Sequence, residues 1–318
     1  MTDTATTMHR LAAFVPERSV PIDELAEPLG LNRHQLRLFR RVHGLDRIRF
    51  DPDMSLVDLL VEPAAEVVRE VADPDSIAYL IFAHTVEFVA PPSFDMLDAV
   101  RRRLGLRRAE AFAVTQQHCA SGLAAVDIAG TLLRNGDEHA AALVITGEKP
   151  YSRLNQLIFN TTIMGQASAA ALVTTGGPGL RLESYVARTD GTYADGLRLD
   201  PDFAHEFGQG YTGMLADVMQ QSVQRASLTW DDIDLVVPHN VNRSSWLPVI
   251  KALPVAPERF YLNNIARFSH CFCSDPFLNL VSLRREGLLV EGHHYLLTAV
   301  GLGATYAAMV IRYGEPRR

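Results

Sequence analysis

Apolar residues along this 318-residue chain gather into two kinds of run, and each kind implies a different element. Ser76–Val86 (SIAYLIFAHTV) is apolar with almost no alternation, as in a strand covered on both faces. Ala111–Thr115 (AFAVT) and Ala141–Thr146 (AALVIT) predict two more strands. Between them, Cys119–Leu133 has the length of a helix, and beyond its first turn only Asp127 and Thr131 interrupt its apolar surface. A helix apolar nearly all round lies between layers, not on a surface. Asn135-Gly136 supplies its stop signal, and a strand-helix-strand unit predicts parallel pairing.

Elsewhere the first ten residues read as a loose tail, and Leu11–Pro21 as a short strand and turn. Ile22–Val42 is charged and punctuated by leucines, like surface helix, and Asp58–Val71 has apolar residues at helical spacing. The second half repeats the theme less densely. Asp234–Pro238 is a strand, His239–Asn242 a loop, and Ser245–Leu253 and Phe277–Arg285 are helices. Tyr295–Val300 and Thr305–Arg312 are strands joined by Gly-Leu-Gly-Ala. Two similar halves meeting face to face predict an α/β protein layered α-β-α-β-α. The glycine-rich stretch Gly176–Gly179 is the expected link, giving halves of residues 1–175 and 176–318.

Composition narrows the function classes. The formal charge is −7, and Arg101–Arg103 is a short run followed by leucines, so a nucleic-acid partner is not expected. No apolar stretch approaches the ~20 residues of a membrane span, and the N-terminus lacks the apolar core of a secretory signal. Cys119, Cys271 and Cys273 are an odd count without framework spacing, which predicts free thiols in a reducing cytoplasm.

Cys119 is the candidate for chemistry. It opens the buried helix, where unpaired N–H groups and partial positive charge stabilise a thiolate. Ala120, Ser121 and Gly122 leave room for a substrate carbonyl. On spacing alone a small buried core residue is an equal reading.

Four ordered motifs carry a resemblance that spans the chain. QQHCASGLAAVDIAGTLL followed by ALVITGEK resembles the nucleophile region of the β-ketoacyl carrier-protein synthase III family. Met164–Val173 is similar to that family's Gly-Asp-Gly-Ala segment, with Gln166-Ala167-Ser168 in its middle. His239-Asn240-Val241-Asn242 resembles its His-Gln-Ala-Asn motif, and the C-terminal LLTAVGLGATYAAMVIRY its last hairpin. The resemblance implies a thiolase-like fold, a homodimer, and Cys119 as acyl acceptor with His239 as catalytic imidazole. It also implies an oxyanion hole from the Cys119 N–H and the Gly301-Leu302-Gly303 turn, with Leu302 and Gly303 beside the sulfur. Asn242 would hold the His239 loop near the substrate. No cofactor or metal is implied; a phosphopantetheine thioester, on acyl carrier protein or CoA, is substrate.

The pattern breaks where the family's condensing members carry an asparagine that holds the forming enolate. That place falls on His270 when Arg267-Phe268 anchors the alignment, or on Ser269 by a gapless count from His239. Asp275 follows. In one reading Asp275 orients His239 as base in a Cys-His-Asp relay, resembling the family's O-acyl-transferring branch of polyketide pathways. In the other, His270 replaces the asparagine in a Cys-His-His site that condenses by decarboxylation. A silent acyl-binding partner subunit is a third. Asp275 also reads as an N-cap for the Phe277 helix. The His270, Cys271, Cys273 spacing is too tight for a usual zinc site, so the two cysteines read as core. His84 and His118 read as structural, and His205 lies in an expected capping loop near a small-molecule acceptor. No tryptophan accompanies the turn at Arg41–Leu45, so CoA adenine stacking is absent and a carrier protein becomes the expected donor, met by Arg37, Arg40 and Arg41.

Overall fold

A computed structural model describes residues 4–91, 93–137, 139–196 and 200–315. Thr6–Arg10, expected as tail, belongs to β1 (Thr6–Phe14), a strand inside the main sheet. Thr6, Thr7, Met8, Leu11 and Ala12 are buried there. Two threonines and a charged Arg10 disguise this strand in a hydropathy reading.

β2 (Ser19–Pro21) and β3 (Arg47–Arg49) pair as a small ribbon. Between them the Ile22–Val42 stretch forms a turn at Ile22–Leu25, α1 (Arg33–Arg37) and a π-helical turn at Leu38–Val42. α2 (Leu56–Arg69) starts on Ser55, whose hydroxyl accepts the Asp58 N–H at 3.0 Å. Pro63 inside α2 cannot donate to Leu59 O; Ser168 Oγ does so instead at 2.5 Å. That contact accounts for the serine in the altered Met164–Val173 motif.

β4 (Ile77–Ala83), α3 (Met96–Arg103), β5 (Glu110–Val114), α4 (Ser121–Arg134) and β6 (Ala141–Glu148) follow. β5 and β6 run parallel, as the strand-helix-strand pattern requires, but β4 lies between them and pairs with both. After α5 (Arg153–Gln156), β7 (Leu157–Ile158) and β8 (Thr162–Ile163), the glycine-rich turn joins β9 (Ala167–Thr175) to β10 (Gly179–Thr189). The stretch Pro201–Tyr211, expected as a loop, is the first half of α6 (Pro201–Arg225). Gly208, Gly210 and Gly213 lower its helix propensity and masked it. β11 (Ile233–Pro238), α7 (Arg243–Ala252), α8 (Asn264–Phe268), α9 (Asp275–Arg285), β12 (His294–Gly301) and β13 (Thr305–Gly314) complete the chain.

Among the described residues nine strands form the main sheet, in the order β11-β12-β13-β10-β1-β9-β6-β4-β5. β1 pairs with β9 along its length but with β10 only at Thr7 and Met8, so two strand groups meet there. α2 and α3 cover one outer face and α6 the other. α4 and α9 lie between, in a core that joins Ile81 and Val144 of one group to Val237 and Leu297 of the other. This is the α-β-α-β-α sandwich of the thiolase-like fold. Gly122 permits its tight middle layer: a Cβ there would lie 2.8 Å from both Cys273 O and the Phe277 ring. No helix is long and apolar enough to cross a membrane.

Candidate active site

Cys119 lies in the short turn His118–Ala120 that leads into α4, and is 5% exposed. In this turn the His118 N–H donates to Thr115 O at 2.9 Å and the Ala120 N–H to Gln117 O at 3.0 Å. The Gly-Leu-Gly turn between β12 and β13 presses on this backbone. A Cβ on Gly301 would lie 2.0 Å from Gln117 O, so only glycine allows the approach. Leu302 thereby lines the same cavity as Cys119, and Gly303 rests against the His118 ring. His118 Nδ1 bonds Thr85 O at 3.1 Å, a structural contact.

The imidazole at the sulfur is His270. Its Nε2 lies 3.4 Å from Cys119 Sγ, and its Nδ1 lies 2.5 Å from Asp275 Oδ2. The sequence reading had paired Asp275 with His239, and the geometry corrects it. Asp275 also does not cap α9 from outside: it is the first residue of that helix, and Ser274 precedes it as cap. Its fully buried carboxylate accepts the Cys271 N–H at 2.8 Å, the Asn240 N–H at 2.6 Å and the Asn240 side-chain amide at 3.3 Å. Asn279 exchanges hydrogen bonds with Asn240, and Asn264 donates to Asn279. These donors fix the orientation of the carboxylate toward the His270 ring. Burial pushes the His270 imidazolium to lose its proton, but the charges of Asp275 and Cys119 and the bonds to both outweigh it and raise the pKa to about 10.

His239 differs in every respect. It lines the cavity, its ring stands 5.5 Å from that of His270, and its Nδ1 has no partner. Burial and then the charge on His270 hold its pKa well below the ordinary histidine value, so it is neutral. Trp246 fixes the loop by donating from Nε1 to His239 O at 3.1 Å.

Of the two candidates for the asparagine place, His270 lies at the sulfur and Ser269 does not. Ser269 is fully buried with φ +59° and ψ −155°, a conformation almost restricted to glycine, and its Oγ donates to Ile163 O at 2.5 Å. Two links to the altered motif fix the backbone of His270: the Gly165 N–H donates to His270 O at 2.8 Å, and Met164 bridges His270. Asn242 is likewise taken up by protein, capping α7 through Ser245 N at 2.7 Å and donating to Thr161 O at 3.0 Å. His205 is exposed on α6, bonded to Gln209 at 2.8 Å, and outside the cavity lining. Arg41 is exposed on the π-helical turn, also outside the lining. Neither Ser269, Asn242, His205 nor Arg41 therefore reaches the space beside the sulfur. His84 is a core histidine, stacked on Phe82 with Nδ1 bonded to Val86 O at 2.7 Å. Cys271 and Cys273 are core residues that donate to Phe268 O and Ala83 O. Among the described residues no group of three acidic, histidine or cysteine side chains is set to hold a metal ion.

Glu148 escaped the sequence reading. It ends β6, is 1% exposed, and accepts the N–H groups of Thr85 and Val86 at 2.6 and 2.8 Å. Thr85 in turn presents its hydroxyl to Cys119 Sγ at 3.7 Å. Burial, only partly offset by those N–H bonds, raises the carboxyl of Glu148 to about 7. A lone glutamate ending an apolar strand at Gly147-Glu148-Lys149 is the one signal that marks it in the sequence.

Cys119, His239 and His270 open into one cavity of about 350 Å³. Its wall is largely apolar, with Ile158, Phe207, Val241, Val300 and Leu302, and among the described residues it holds no Lys, Arg, Asp or Glu.

Residues 223–313 match the family model for the C-terminal part of 3-oxoacyl-[acyl-carrier-protein] synthase III. Among solved structures the chain is similar to ChlB3, titled an acyltransferase, with a TM-score of 0.86, 20% identity and 98% of each chain covered. It is similar to the synthase III FabH of Pseudomonas aeruginosa PAO1, with a TM-score of 0.79, 21% identity, and 99% of this chain and 100% of that one covered. An OleA variant of Xanthomonas campestris, with bound lauric acid and lauroyl-CoA, gives a TM-score of 0.81 at 17% identity over 97% of this chain and 99% of that one. At these identities the likeness establishes the shared fold.

Proposed function

We propose that this synthase III-like member of the thiolase superfamily is an acyltransferase. It takes an acyl group from a carrier-protein or CoA thioester onto Cys119 and passes it to a hydroxyl or amine. One observation carries this reading: Asp275 bonds the far nitrogen of His270 while the near nitrogen faces the sulfur. His270 rests as an imidazolium with Nε2 at the sulfur. The Cys119 thiolate attacks the thioester carbonyl, and the N–H of Cys119 with one from the Leu302-Gly303 turn holds the oxyanion, an arrangement often worth ~3–4 kcal/mol. The donor thiolate leaves with the proton from His270 Nε2. The sulfur is now a neutral thioester, so the negative charge that held this proton is gone. His270, neutral and oriented by Asp275, then accepts the proton of the acceptor as it attacks the acyl-cysteine. Collapse expels the Cys119 thiolate beside a recharged His270, and the cycle closes.

Decarboxylative condensation fits less well. His270 directs its two ring nitrogens at sulfur and carboxylate, leaving no donor for an enolate in the place of the asparagine. The buried charge of Asp275 opposes a second anion nearby. Among the described residues the cavity offers a malonyl carboxylate no Lys or Arg. The fold shared with ChlB3, an acyltransferase by its title, supports the same reading. With it go a carrier-protein or CoA donor, a homodimer, a cytoplasmic place, and a role in polyketide or antibiotic biosynthesis.

Intact-protein mass spectrometry with a panel of acyl thioesters tests the proposal. The expected result is an acyl adduct on Cys119 that an added alcohol or amine discharges as ester or amide. Release of carbon dioxide from a malonyl thioester with a new carbon–carbon bond would overturn it in favour of condensation. No adduct with any thioester would leave only a silent partner subunit.

A further inference from the structure

Burying a tyrosine hydroxyl without a partner is unfavourable, and buried tyrosines usually find one. Tyr185, Tyr261 and Tyr295 do, donating to Gln117, Glu286 and Leu288 O at 3.0, 3.0 and 2.9 Å. Tyr211 is half-buried, and among the described residues none exchanges a hydrogen bond with its hydroxyl; the deeper Tyr306 likewise shows none but does not line the cavity at Cys119. The Tyr211 side chain lines the cavity that holds Cys119, His239 and His270. The ring is fixed edge-on by Phe207 at 5.8 Å and Tyr306 at 6.0 Å. Burial, then Tyr306 and Cys119, raise its pKa, so it remains a neutral donor through the working range. The apolar side chains around it offer a substrate dispersion contact but no polarity.

We infer that Tyr211 donates a hydrogen bond to an oxygen on the acyl group, so that the substrate is a compact, uncharged acyl chain or ring bearing a hydroxyl or carbonyl beyond the thioester. The cavity of about 350 Å³ sets the compactness, and a wall that among the described residues carries no charged side chain but His270 sets the neutrality. The inference rests on the acyl-transfer reading. Within that reading Tyr211 is a specificity residue: it chooses what Cys119 receives and moves no proton.

The test is Tyr211→Phe, which removes only the hydroxyl. Single-turnover acylation of Cys119 is measured with paired N-acetylcysteamine thioesters that differ by one oxygen, butyryl against 3-hydroxybutyryl and benzoyl against its hydroxylated forms. The native protein should favour one oxygenated member by roughly 2- to 12-fold, the size of one neutral hydrogen bond. Y211F should lose that preference, so that the two members of each pair acylate at nearly equal rates, and melt at an unchanged temperature. A preference kept in Y211F, an equal loss on both members, or a lowered melting temperature would overturn the inference. A loss confined to the transfer step would assign the contact to the acceptor and overturn the acyl assignment. If the native protein takes no acyl group at all, the acyl-transfer reading itself fails, and this inference falls with it.

Discussion

The Asp275 carboxylate lies 2.5 Å from Nδ1 of His270, on the side of the ring opposite Cys119. This contact decides which of two buried histidines carries charge. His270 is held protonated, and His239, 5.5 Å away, is held neutral partly by that same charge. Two imidazoles in one cavity thus have opposite states, and the expected consequences differ for each.

Replacing Asp275 with Asn keeps the shape of the buried site and removes the charge. D275N should lower the rate of acyl transfer by ~10²–10⁴-fold, the usual range for a lost oriented base. Steady-state kinetics against one thioester and one alcohol checks this. A loss under threefold would detach Asp275 from the chemistry.

The raised pKa of His270 has a fixed sign in pH. The folded value of about 10 exceeds the ordinary 6.5, so its stabilising contribution is complete below 6.5 and is lost as pH rises through about 10. NMR titration of the His270 ring should find it still charged at about pH 8, and D275N should bring its pKa down; a native ring that loses its proton near 6.5 would contradict the assignment.

The two histidines should separate in half-reactions. H270A should slow the acylation of Cys119 itself. H239A should slow it far less, because among the described residues no hydrogen bond links His239 to the sulfur. Stopped-flow acylation distinguishes them, and identical behaviour of the two variants would contradict the assignment.

Glu148 has the opposite consequence to a salt-bridged carboxylate. Its folded pKa is raised from 4.5 to about 7, so the native state holds a proton that the unfolded chain has lost. Stability should fall as pH rises from about 4.5 to about 7, by about 3 kcal/mol at ~1.4 kcal/mol per pH unit. E148Q should abolish this slope. Urea unfolding at pH 5 and pH 7.5 measures it; a native protein with no slope would show that Glu148 stays charged.

Gly301 should tolerate nothing larger. A Cβ 2.0 Å from Gln117 O forces the hairpin turn off the Cys119 backbone. G301A should cost ~1–3 kcal/mol in stability and most of the acylation rate, read by thermal melting and adduct formation.

Much of this was legible in the chain. Uninterrupted apolar runs gave the buried strands Ile77–Ala83 and Ala141–Glu148, because a strand covered on both faces leaves no polar alternation. A helix without a polar face placed α4 between layers and put Cys119 at its start. β1 and the first half of α6 were hidden, since threonines and glycines carry weak local preference and tertiary cover overrode it.

Local pattern predicted the layered architecture and put a sulfur at the head of an interior helix; the resemblance of the motifs, not the pattern, singled out Cys119, His239, His270 and Asp275 as the groups with chemistry to perform. Only the folded arrangement decided their pairing. Asp275 stands 5 residues from His270 but shares its surroundings with Asn240 from the other side of the core, and sequence separation cannot rank those neighbours. It likewise took the tertiary structure to bring Glu148 to the Thr85 turn and Tyr211 to the cavity. Hydrogen bonds act over about 3 Å in space, a distance that position along a chain does not encode.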